Sequence, residues 1–283
     1  MTHVTQTNST QSGQSTDDGF RDLAEKITRE SEFCCTNYKD GCVRRRIAVR
    51  MRARGAATYA QYGDLLDSDS TEYQRLIDTL TVNVTRFFRN PNTFAVAAQR
   101  VIPELWRRGS RIDVWSAGSA SGEEAYSLAA LFHEHARARG ELERLGCVSV
   151  VGSDIDRGSL DAANRAAYLP ASFTDTAPEL LDDLFPMEGE RRTVIPAIRA
   201  ITRFERRDIL REVPAPCSFD LVACRNVVIY LDRATQEVLV DTLFDSLRPG
   251  GYLIMGHVET IFGKARRNLV PVDMRERIYH KPL

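Results

Sequence analysis

Residues 113–132, DVWSAGSASGEEAYSLAALF, join a short apolar run to an apolar helical pattern through a turn that contains Gly118 and Gly122. This order of strand, glycine turn and helix constrains the fold strongly, because it is the opening unit of many nucleotide-binding sheets. In such sheets the turn holds a phosphate at the N-terminus of the helix. Here Glu123 and Glu124 begin the helix, and two carboxylates would repel a phosphate. The turn therefore favours a ligand that carries a positive amino group and no phosphate.

The acidic end of the next predicted strand narrows the choice of ligand. CVSVVGSD ends in Asp154, about thirty residues past the turn, where an acid hydrogen-bonds a ribose diol. The third glycine of the dinucleotide pattern G-x-G-x-x-G is missing. S-adenosylmethionine, with its adenosine, sulfonium and amino-acid end, fits an acidic turn and an acidic strand end. The alternative is that Glu123 and Glu124 only stabilise a helix N-terminus, by about 0.3–1 kcal/mol, and the turn alone does not decide between the two.

The order of the predicted elements gives the fold class. After Gly109, strands alternate with helices, which predicts a parallel, doubly wound, Rossmann-like α/β domain. Residues 187–204 break this alternation and are interpreted as a small antiparallel β insertion. Up to Phe88, apolar residues recur every three or four positions, which predicts an all-α N-terminal domain. The predicted boundaries are a disordered tail over 1–18, a helical domain with its linker over 19–88, and the α/β domain over 89–283.

Composition argues against several function classes. The 38 Lys and Arg are balanced by 39 Asp and Glu, so the whole chain implies no polyanionic partner. No apolar stretch approaches the roughly 18–20 residues that span a bilayer, and the N-terminus lacks the pattern of a secretion signal. We therefore expect a cytoplasmic protein without membrane insertion. The six cysteines lack metal-ligand or redox spacing, so we expect reduced thiols and no metal site.

Three further stretches carry polar side chains where ligands could bind. TVNVTRFFRN, at 81–90, alternates polar and apolar residues, and CRNVVIYLD, at 224–232, follows a predicted strand whose carboxyl end would face a ligand. GHVE follows the last clear strand. Taken singly, each stretch also has a structural interpretation. The first could be an amphipathic link between helix and sheet, and the second a strand-to-helix corner anchored by Tyr230. In the third, His257 and Glu259 could have a structural role.

Together, these stretches resemble the CheR-type chemoreceptor glutamate methyltransferases. The resemblance runs from about Arg21 to the end of the chain, with five motifs in the family's order. Asn83–Arg89 matches the family pattern N-x-T-x-F-F-R, and Trp115–Ser127 matches W-S-A-G-x-x-x-G-E-E-x-Y-S. Asp154–Asp156 matches D-I-D, and Cys224–Tyr230 matches C-R-N-V-x-I-Y. Pro249–Glu259 matches P-G-G-x-L-x-x-G-H-x-E.

The resemblance implies S-adenosylmethionine as the cofactor and identifies the residues of its site. Two departures, Ala125 for a common proline and Val258 for a common serine, remove no implied contact. Arg89 and Tyr230 correspond to residues beside the transferred methyl group, and they are the implied catalytic residues. Asp154 corresponds to the residue that holds the ribose. The implied cofactor-binding residues are Asn83, Thr85 and Arg89 in the linker, Gly118, Glu123 and Glu124 at the turn, Asp154, then Asp208 and Ile209 near the adenine, and Arg225 and Asn226 after the fourth strand.

The resemblance also implies the substrate, a glutamate in the cytoplasmic helical domain of a chemoreceptor. Such a carboxylate, with a pKa of about 4.3, is already an anion near pH 7 and needs neither a general base nor a metal. CVRRRIAVRMRAR, at 42–54, places six arginines around an apolar stripe. From helical spacing we expect Arg46, Arg50 and Arg54 to form the face that docks acidic receptor helices.

Two alternatives remain open at the level of the sequence. The chain could methylate RNA or another substrate, with the arginine helix as a nucleic-acid patch, although that helix lacks aromatic residues for base stacking. It could also be a non-catalytic scaffold that binds the cofactor. We expect a monomer that binds no nucleic acid.

Overall fold

The computed structural model describes residues 10–31, 33–81, 83–109 and 111–283, and the chain divides into two compact units. The helical unit extends to Val82 and includes Tyr230–Asp232. The α/β unit comprises Asn83–Ile229 and Arg233–Leu283. The α/β unit thus includes the linker from Asn83, and the linker side chains Phe87 and Phe88 belong to its core.

The helical unit starts earlier in the sequence than predicted. Residues 1–9 of the predicted disordered tail lie outside the described residues, but the chain is helical from Thr10, so the predicted start at residue 19 does not match the structure. A short 3₁₀ turn, Cys35–Asn37, follows the first helix. The α-helices of this unit are α1 (Thr10–Glu30), α2 (Asp40–Arg54), α3 (Tyr59–Ser68) and α4 (Ser70–Leu80).

Periodic apolar residues and local capping explain these helices. Val43, Ile47 and Met51 are buried along one face of α2, as their spacing predicts. Gly55 closes α2 in the left-handed conformation with φ 69°. The carboxylate of Asp69 accepts the N–H groups of the first turn of α4, a cap that is worth about 1 kcal/mol.

A buried carboxylate, that of Glu72 on α4, connects three helices of this unit. Its side chain is fully buried and accepts hydrogen bonds from Arg50 Nε at 3.0 Å, from Arg50 Nη2 at 2.6 Å and from the Tyr62 hydroxyl at 2.8 Å. Arg50 lies on α2 and Tyr62 on α3. A buried charge that is paired and hydrogen-bonded in this way is expensive to disrupt, because removing one partner leaves the other uncompensated.

The α/β unit contains a seven-stranded sheet, a three-stranded sheet and the remaining helices. Its strands are β1 (Ile112–Ala117), β2 (Val148–Asp154), β3 (Ala167–Tyr168), β4 (Met187–Glu188), β5 (Arg191–Thr193), β6 (Thr202–Arg206), β7 (Phe219–Cys224), β8 (Leu247–Met255), β9 (Val270–Asp273) and β10 (Ile278–His280). Its α-helices are α5 (Pro91–Val96), α6 (Ile102–Arg107), α7 (Glu123–Arg139), α8 (Arg157–Arg165), α9 (Pro178–Leu184), α10 (Pro196–Ala200), α11 (Arg233–Ser246) and α12 (Gly263–Asn268).

The large sheet has the order β6-β2-β1-β7-β8-β10-β9. The first five strands in that order are parallel, while β10 and β9 are antiparallel to their neighbours. The chain runs outward from β1 to β2 and β6, then returns to β7 on the other side of β1. Ligands bind at the carboxyl ends of the strands where the order reverses in this way, which here is between β1 and β7. The predicted doubly wound, Rossmann-like fold with an all-α N-terminal domain is confirmed.

The small antiparallel sheet is also confirmed, but the predicted insertion over 187–204 ends too late. The sheet has the order β3-β5-β4, so β4 and β5 pair with a strand that lies earlier in the chain. Thr202–Arg206 instead pairs in parallel with β2 and forms the edge of the large sheet. Residues 187–204 were interpreted as two short strands around polar turns, and the second of these strands is the edge strand of the large sheet.

Aromatic packing attaches the linker segment to the α/β unit. Phe87 is fully buried, and its ring stacks on Phe173 with a centroid distance of 4.2 Å. Tyr168 and Phe185 also lie against that ring, at centroid distances of 4.9 and 4.8 Å. Burial of such a side chain contributes about 1.5–3 kcal/mol, so this contact fixes the segment that carries the predicted residues Asn83 to Arg89.

Candidate cofactor-binding site

The turn after β1 requires both of its glycines. Gly118 and Gly122 adopt φ values of 74° and 94°, in the left-handed region that other residues avoid. A Cβ atom on Gly118 would lie 2.5 Å from Val227 Cγ2, and one on Gly122 would lie 2.8 Å from Phe204 Cζ. The side chains of Val227 and Phe204 therefore leave no room for a side chain at either glycine of the turn.

Asp154, at the end of β2, receives backbone donors from the turn. Its Oδ2 accepts the Ala120 N–H at 2.8 Å, and its Oδ1 accepts the Asp156 N–H at 3.0 Å. Burial raises the pKa of this carboxyl, and these backbone hydrogen bonds partly oppose that effect. A carboxylate at the end of the second strand of such a sheet is where the hydroxyls of a ribose would bind.

The two acids of the turn have different surroundings, because successive positions on a helix do not face the same way. Glu123 is buried, and Ser121 Oγ donates to its Oε2 at 2.7 Å. Glu124 Oε1 accepts the Ser116 hydroxyl at 2.8 Å, and its Oε2 lies 3.3 Å from Arg225 Nη1. Burial raises the pKa of both carboxyls, and the positive charge of Arg225 opposes the rise at Glu124.

Arg225 links the turn to the linker segment. Its side chain is 2% exposed, and Nη2 donates to the Arg89 carbonyl at 2.6 Å and to Asn90 Oδ1 at 2.8 Å. Together with the pair to Glu124, these bonds join β7, α7 and the start of α5. The arrangement places Glu124, an acid of the turn, in an ion pair with a buried cation.

The linker segment brings two of its three predicted residues, Asn83 and Arg89, to the same edge of the sheet. The Asn83 amide donates to Asp156 Oδ2, on the carboxylate that caps α8. Thr85 is partly exposed, and Arg89 Nη1 donates to the Val84 carbonyl at 2.9 Å. The charge of Arg89 also lowers the pKa of Glu124, although burial is the larger effect on that carboxyl. Asn83 thus lies by β2 and Arg89 by the acid of the turn.

The predicted adenine residues follow β6. Arg207 N–H donates to the Asp154 carbonyl at 3.0 Å, so the segment with Asp208 and Ile209 lies beside the end of β2. Asp208 Oδ1 accepts the Leu210 N–H at 2.9 Å. On the other side of the turn, Asn226 follows β7 in the left-handed conformation, with φ 62°. The implied cofactor residues of the α/β unit therefore lie at the carboxyl ends of β1, β2, β6 and β7.

Tyr230 is described within the helical unit. Its carbonyl accepts the Lys39 N–H at 2.9 Å, and the Arg46 guanidinium carbon lies 5.0 Å from the centre of its ring. The implied pairing of Tyr230 with Arg89, which belongs to the α/β unit, stays a prediction.

The arginine stripe predicted on α2 needs correction. Arg50 donates to the buried Glu72, Arg54 Nη1 donates to Asp69 at 3.0 Å, and Arg46 donates to the Leu80 carbonyl. The side chains of Arg50 and Arg54 are 17% and 28% exposed. These guanidinium groups hold α2 to its neighbours and do not form an open docking face, because helical spacing alone cannot show which cations meet buried acids.

Sequence reasoning missed one polar contributor to the site. Ser116 on β1 donates a hydrogen bond to Glu124 at 2.8 Å. A serine inside a strand gives little signal in the sequence. Among the described residues, no group of three or more His, Cys, Asp or Glu could hold a metal ion. None of the described helices is long and apolar enough to cross a bilayer.

The site fits S-adenosylmethionine by its donor and acceptor set. Asp154 offers a carboxylate for a ribose, and the acids of the turn suit an amino group. A doubly wound sheet that carries these residues at the carboxyl ends of its strands is typical of S-adenosylmethionine-dependent methyltransferases. The protein belongs to this class of enzyme.

Comparison with known proteins identifies the family. The family model described as "CheR methyltransferase, SAM binding domain" matches residues 83–278, and the one described as "CheR methyltransferase, all-alpha domain" matches residues 18–81. The chain belongs to the CheR methyltransferase family, and it is an S-adenosylmethionine-dependent enzyme.

Several relatives are similar over most of the chain. A chemotaxis protein methyltransferase of Klebsiella aerogenes is 33% identical over 85% of this chain and 82% of its own length, and that of Escherichia coli K12 is 30% identical over 88% and 86%. An uncharacterised 104.1 kDa protein of Rhodobacter capsulatus is 33% identical over 91% of this chain, which spans only 27% of that longer protein.

Proposed function

We propose that this enzyme transfers a methyl group from S-adenosylmethionine to glutamate side chains of chemoreceptors, in the cytoplasm and as a monomer. The observation that carries the proposal is the presence of both CheR family domains in one chain, in the order that the family has. Relatives of similar length are named chemotaxis protein methyltransferases, which supports the same substrate class.

The chemistry requires positioning rather than proton transfer. S-adenosylmethionine, when bound, supplies a methyl group on a sulfonium, which is an activated leaving group. The acceptor glutamate is already an anion near pH 7, with a pKa of about 4.3. The protein therefore has to remove water from the carboxylate and align it with the methyl group. A mechanism of this kind needs no metal and no catalytic triad.

We assign each implied site residue a role in this chemistry. Asp154 would hold the ribose hydroxyls, and Glu124 would orient the amino group of the cofactor while the positive charge of Arg225 favours the ionised form of that acid. Arg89, whose charge lies near Glu124, would hold the acceptor carboxylate. Tyr230 would donate a hydrogen bond to it.

The receptor would dock on the solvent side of α2. Arg45, Val49 and Arg52 are exposed, and Val49 is 44% accessible. Their spacing of four and three positions places them on one face of the helix, away from the buried stripe. An apolar side chain between two cations suits an amphipathic acidic helix of the receptor. This face replaces the one first expected from spacing alone.

The test is methyl transfer from labelled S-adenosylmethionine to receptor cytoplasmic fragments, with total RNA as the competing acceptor. We expect base-labile methyl esters on the receptor fragments and no label on RNA. Label on RNA would support the alternative substrate, and cofactor binding without any transfer would support a scaffold. Sedimentation of the purified enzyme checks the proposed monomer.

A further inference from the structure

Three polar side chains from separate segments of the α/β unit meet at the first turn of α5, and none has a role in the chemistry above. Thr93 Oγ1 donates to Glu276 Oε2 at 2.8 Å, and His257 Nε2 lies 2.8 Å from the same carboxylate oxygen. An ionised carboxylate only accepts hydrogen bonds, so the hydroxyl and the ring nitrogen both donate to it. Thr93 Oγ1 and His257 Nε2 are themselves 3.0 Å apart, and Thr93 is buried. These three residues form the Thr93 cluster.

The large sheet holds two members of the cluster in place. Glu276 lies in the turn between β9 and β10, where its N–H donates to Asp273 Oδ1 at 3.0 Å. His257 follows β8, and its carbonyl accepts Arg277 Nε at 3.2 Å. The Met255 N–H, at the end of β8, donates to the Arg277 carbonyl at 3.0 Å. The cluster therefore ties the first turn of α5 to the end of β8 and to the turn between β9 and β10.

The segment that precedes Thr93 has a strained backbone and needs such an anchor. Phe88 and Asn90 adopt φ values of 51° and 65°, in the left-handed region that residues other than glycine leave unless their surroundings hold them. Arg89 lies between these two residues. The Thr93 N–H donates to the Asn90 carbonyl at 3.0 Å, so the positions of Thr93 and Asn90 are coupled.

The strained segment in turn holds the side chain of Arg225. Arg225 Nη2 donates to Asn90 Oδ1 at 2.8 Å and to the Arg89 carbonyl at 2.6 Å. Its guanidinium carbon lies 5.2 Å from the centre of the Phe94 ring on α5. Arg225 Nη1 lies 3.3 Å from Glu124 Oε2, at the glycine turn. A continuous series of contacts thus leads from the cluster to the acid of the turn.

We propose that Thr93, His257 and Glu276 are positioning residues for cofactor binding, which hold the start of α5 and through it the ion pair of Arg225 with Glu124. The proposal rests on the proposed function only in assigning these last two residues to the cofactor site. The cluster touches neither cofactor nor substrate in this role. It acts through the backbone from residue 93 to residue 89 and through the contacts of that backbone with Arg225.

The substitution Thr93→Val tests the proposal, since it keeps the shape of the side chain and replaces the hydroxyl by a methyl group. We expect the Kd for S-adenosylmethionine, measured by calorimetry on the folded variant, to rise about tenfold, the scale of one lost hydrogen bond. Thr93→Ser keeps the hydroxyl and should have a Kd close to that of the wild type. Thr71→Val makes the same change at an exposed position in the first turn of α4 and should leave the Kd unaltered.

Two outcomes overturn the proposal. A folded Thr93→Val variant with the wild-type Kd, whatever its Tm, would show that the cluster serves stability alone. A Thr93→Ser variant that binds S-adenosylmethionine as weakly as Thr93→Val would show that the hydroxyl is not what positions the site.

A second pair of variants covers the case in which Thr93→Val does not fold. The side chain of His257 is 37% exposed, so a change there disturbs the core less. His257→Leu removes the ring N–H and should raise the Kd about tenfold, whereas His257→Gln offers an amide N–H and should bind more tightly than His257→Leu. Equal and wild-type Kd values in both variants would refute the proposal.

These measurements do not depend on the methyl acceptor. If the wild-type enzyme binds S-adenosylmethionine but methylates no receptor fragment, the proposed function fails while the role of the Thr93 cluster is still decided.

Discussion

Asp154 illustrates how one side chain can have a structural and a ligand-binding role at once. The backbone N–H groups of Ala120 and Asp156 hold its carboxylate in the turn. The sequence predicted a ligand-binding acid at this strand end, since the position after the second strand of such sheets is known to meet a ribose. It gave no sign that the same acid orders the glycine turn.

Replacing Asp154 by alanine should therefore weaken cofactor binding. We expect a loss of roughly 1–3 kcal/mol, because a buried pair of ribose hydroxyls loses its acceptor. Calorimetry with S-adenosylmethionine measures the change, and circular dichroism checks that the variant is folded. Asp161→Ala, at an exposed position on α8, is the matched control. Unchanged affinity in a folded Asp154→Ala variant would show that Asp154 serves the turn alone.

Tyr230 differs from Asp154 in this respect. The resemblance implies a catalytic role for its hydroxyl, whereas the structure shows contacts of its ring with Arg46 and of its carbonyl with Lys39. The prediction from the proposed function is that Tyr230→Phe slows single-turnover methyl transfer about tenfold, the scale of one hydrogen bond to the acceptor. The Kd for S-adenosylmethionine should stay the same. Tyr59→Phe removes a hydroxyl from another tyrosine of the helical unit and serves as the control. If Tyr230→Phe keeps the full single-turnover rate, the hydroxyl of Tyr230 does not contribute to methyl transfer and the residue has only a packing role.

Among the elements, the glycine turn and its flanking strand and helix were predictable because each signal is local. The apolar run, the glycines and the helical spacing all lie within 113–132. The position of the strand Thr202–Arg206 could not be predicted in this way, because it depends on pairing with β2, which lies about fifty residues earlier. For the same reason the partner of Arg50 could not be found from α2 alone, since Glu72 lies on another helix.

The contacts of Glu72 lead to a prediction for the helical elements. Burial by itself would raise the pKa of Glu72, but hydrogen bonds from Arg50 and Tyr62 hold it below its ordinary value of 4.5. A carboxyl whose pKa is lower in the folded state stabilises the fold above the unfolded pKa, and this contribution is lost as the pH falls through the folded value. Glu72→Gln should thus destabilise the protein by about 3 kcal/mol at pH 7.

Urea unfolding at several pH values measures this effect. The difference between the wild type and Glu72→Gln should be complete at pH 7 and shrink below about pH 4.5, as the wild-type carboxylate is protonated. Asp64→Asn, at an exposed position on α3, should show no comparable difference. If the difference in unfolding free energy stays constant down to pH 3, the loss of stability comes from altered packing around residue 72 and not from the lost charge.

At the scale of the whole molecule, charge is balanced, so an attraction to acidic receptors has to come from a local surface. We expect the double reversal Arg45→Glu with Arg52→Glu to raise the half-saturating receptor concentration at least tenfold at low salt. The effect should fade as added salt screens the charges, while the Kd for S-adenosylmethionine stays constant. The measurement is methyl transfer against receptor concentration at two ionic strengths.

The control for that experiment applies the same charge change elsewhere. Arg266→Glu with Arg267→Glu, at exposed positions on α12, alters the net charge equally and should leave receptor methylation unaffected. If both double variants lose receptor affinity to the same extent, overall charge and not the face of α2 governs the encounter.

The path of the chain limits how the enzyme can be cut into modules. The polypeptide passes between the two units at residues 82–83, 229–230 and 232–233, so the helical unit is not one uninterrupted stretch of sequence. The Asn37 carbonyl accepts the Asp232 N–H at 3.0 Å, and the Lys39 N–H donates to the Tyr230 carbonyl at 2.9 Å. A truncated enzyme that begins at Asn83 would leave residues 230–232 without these partners. A chimaera that borrows the helical unit of a relative must therefore borrow this three-residue segment with it.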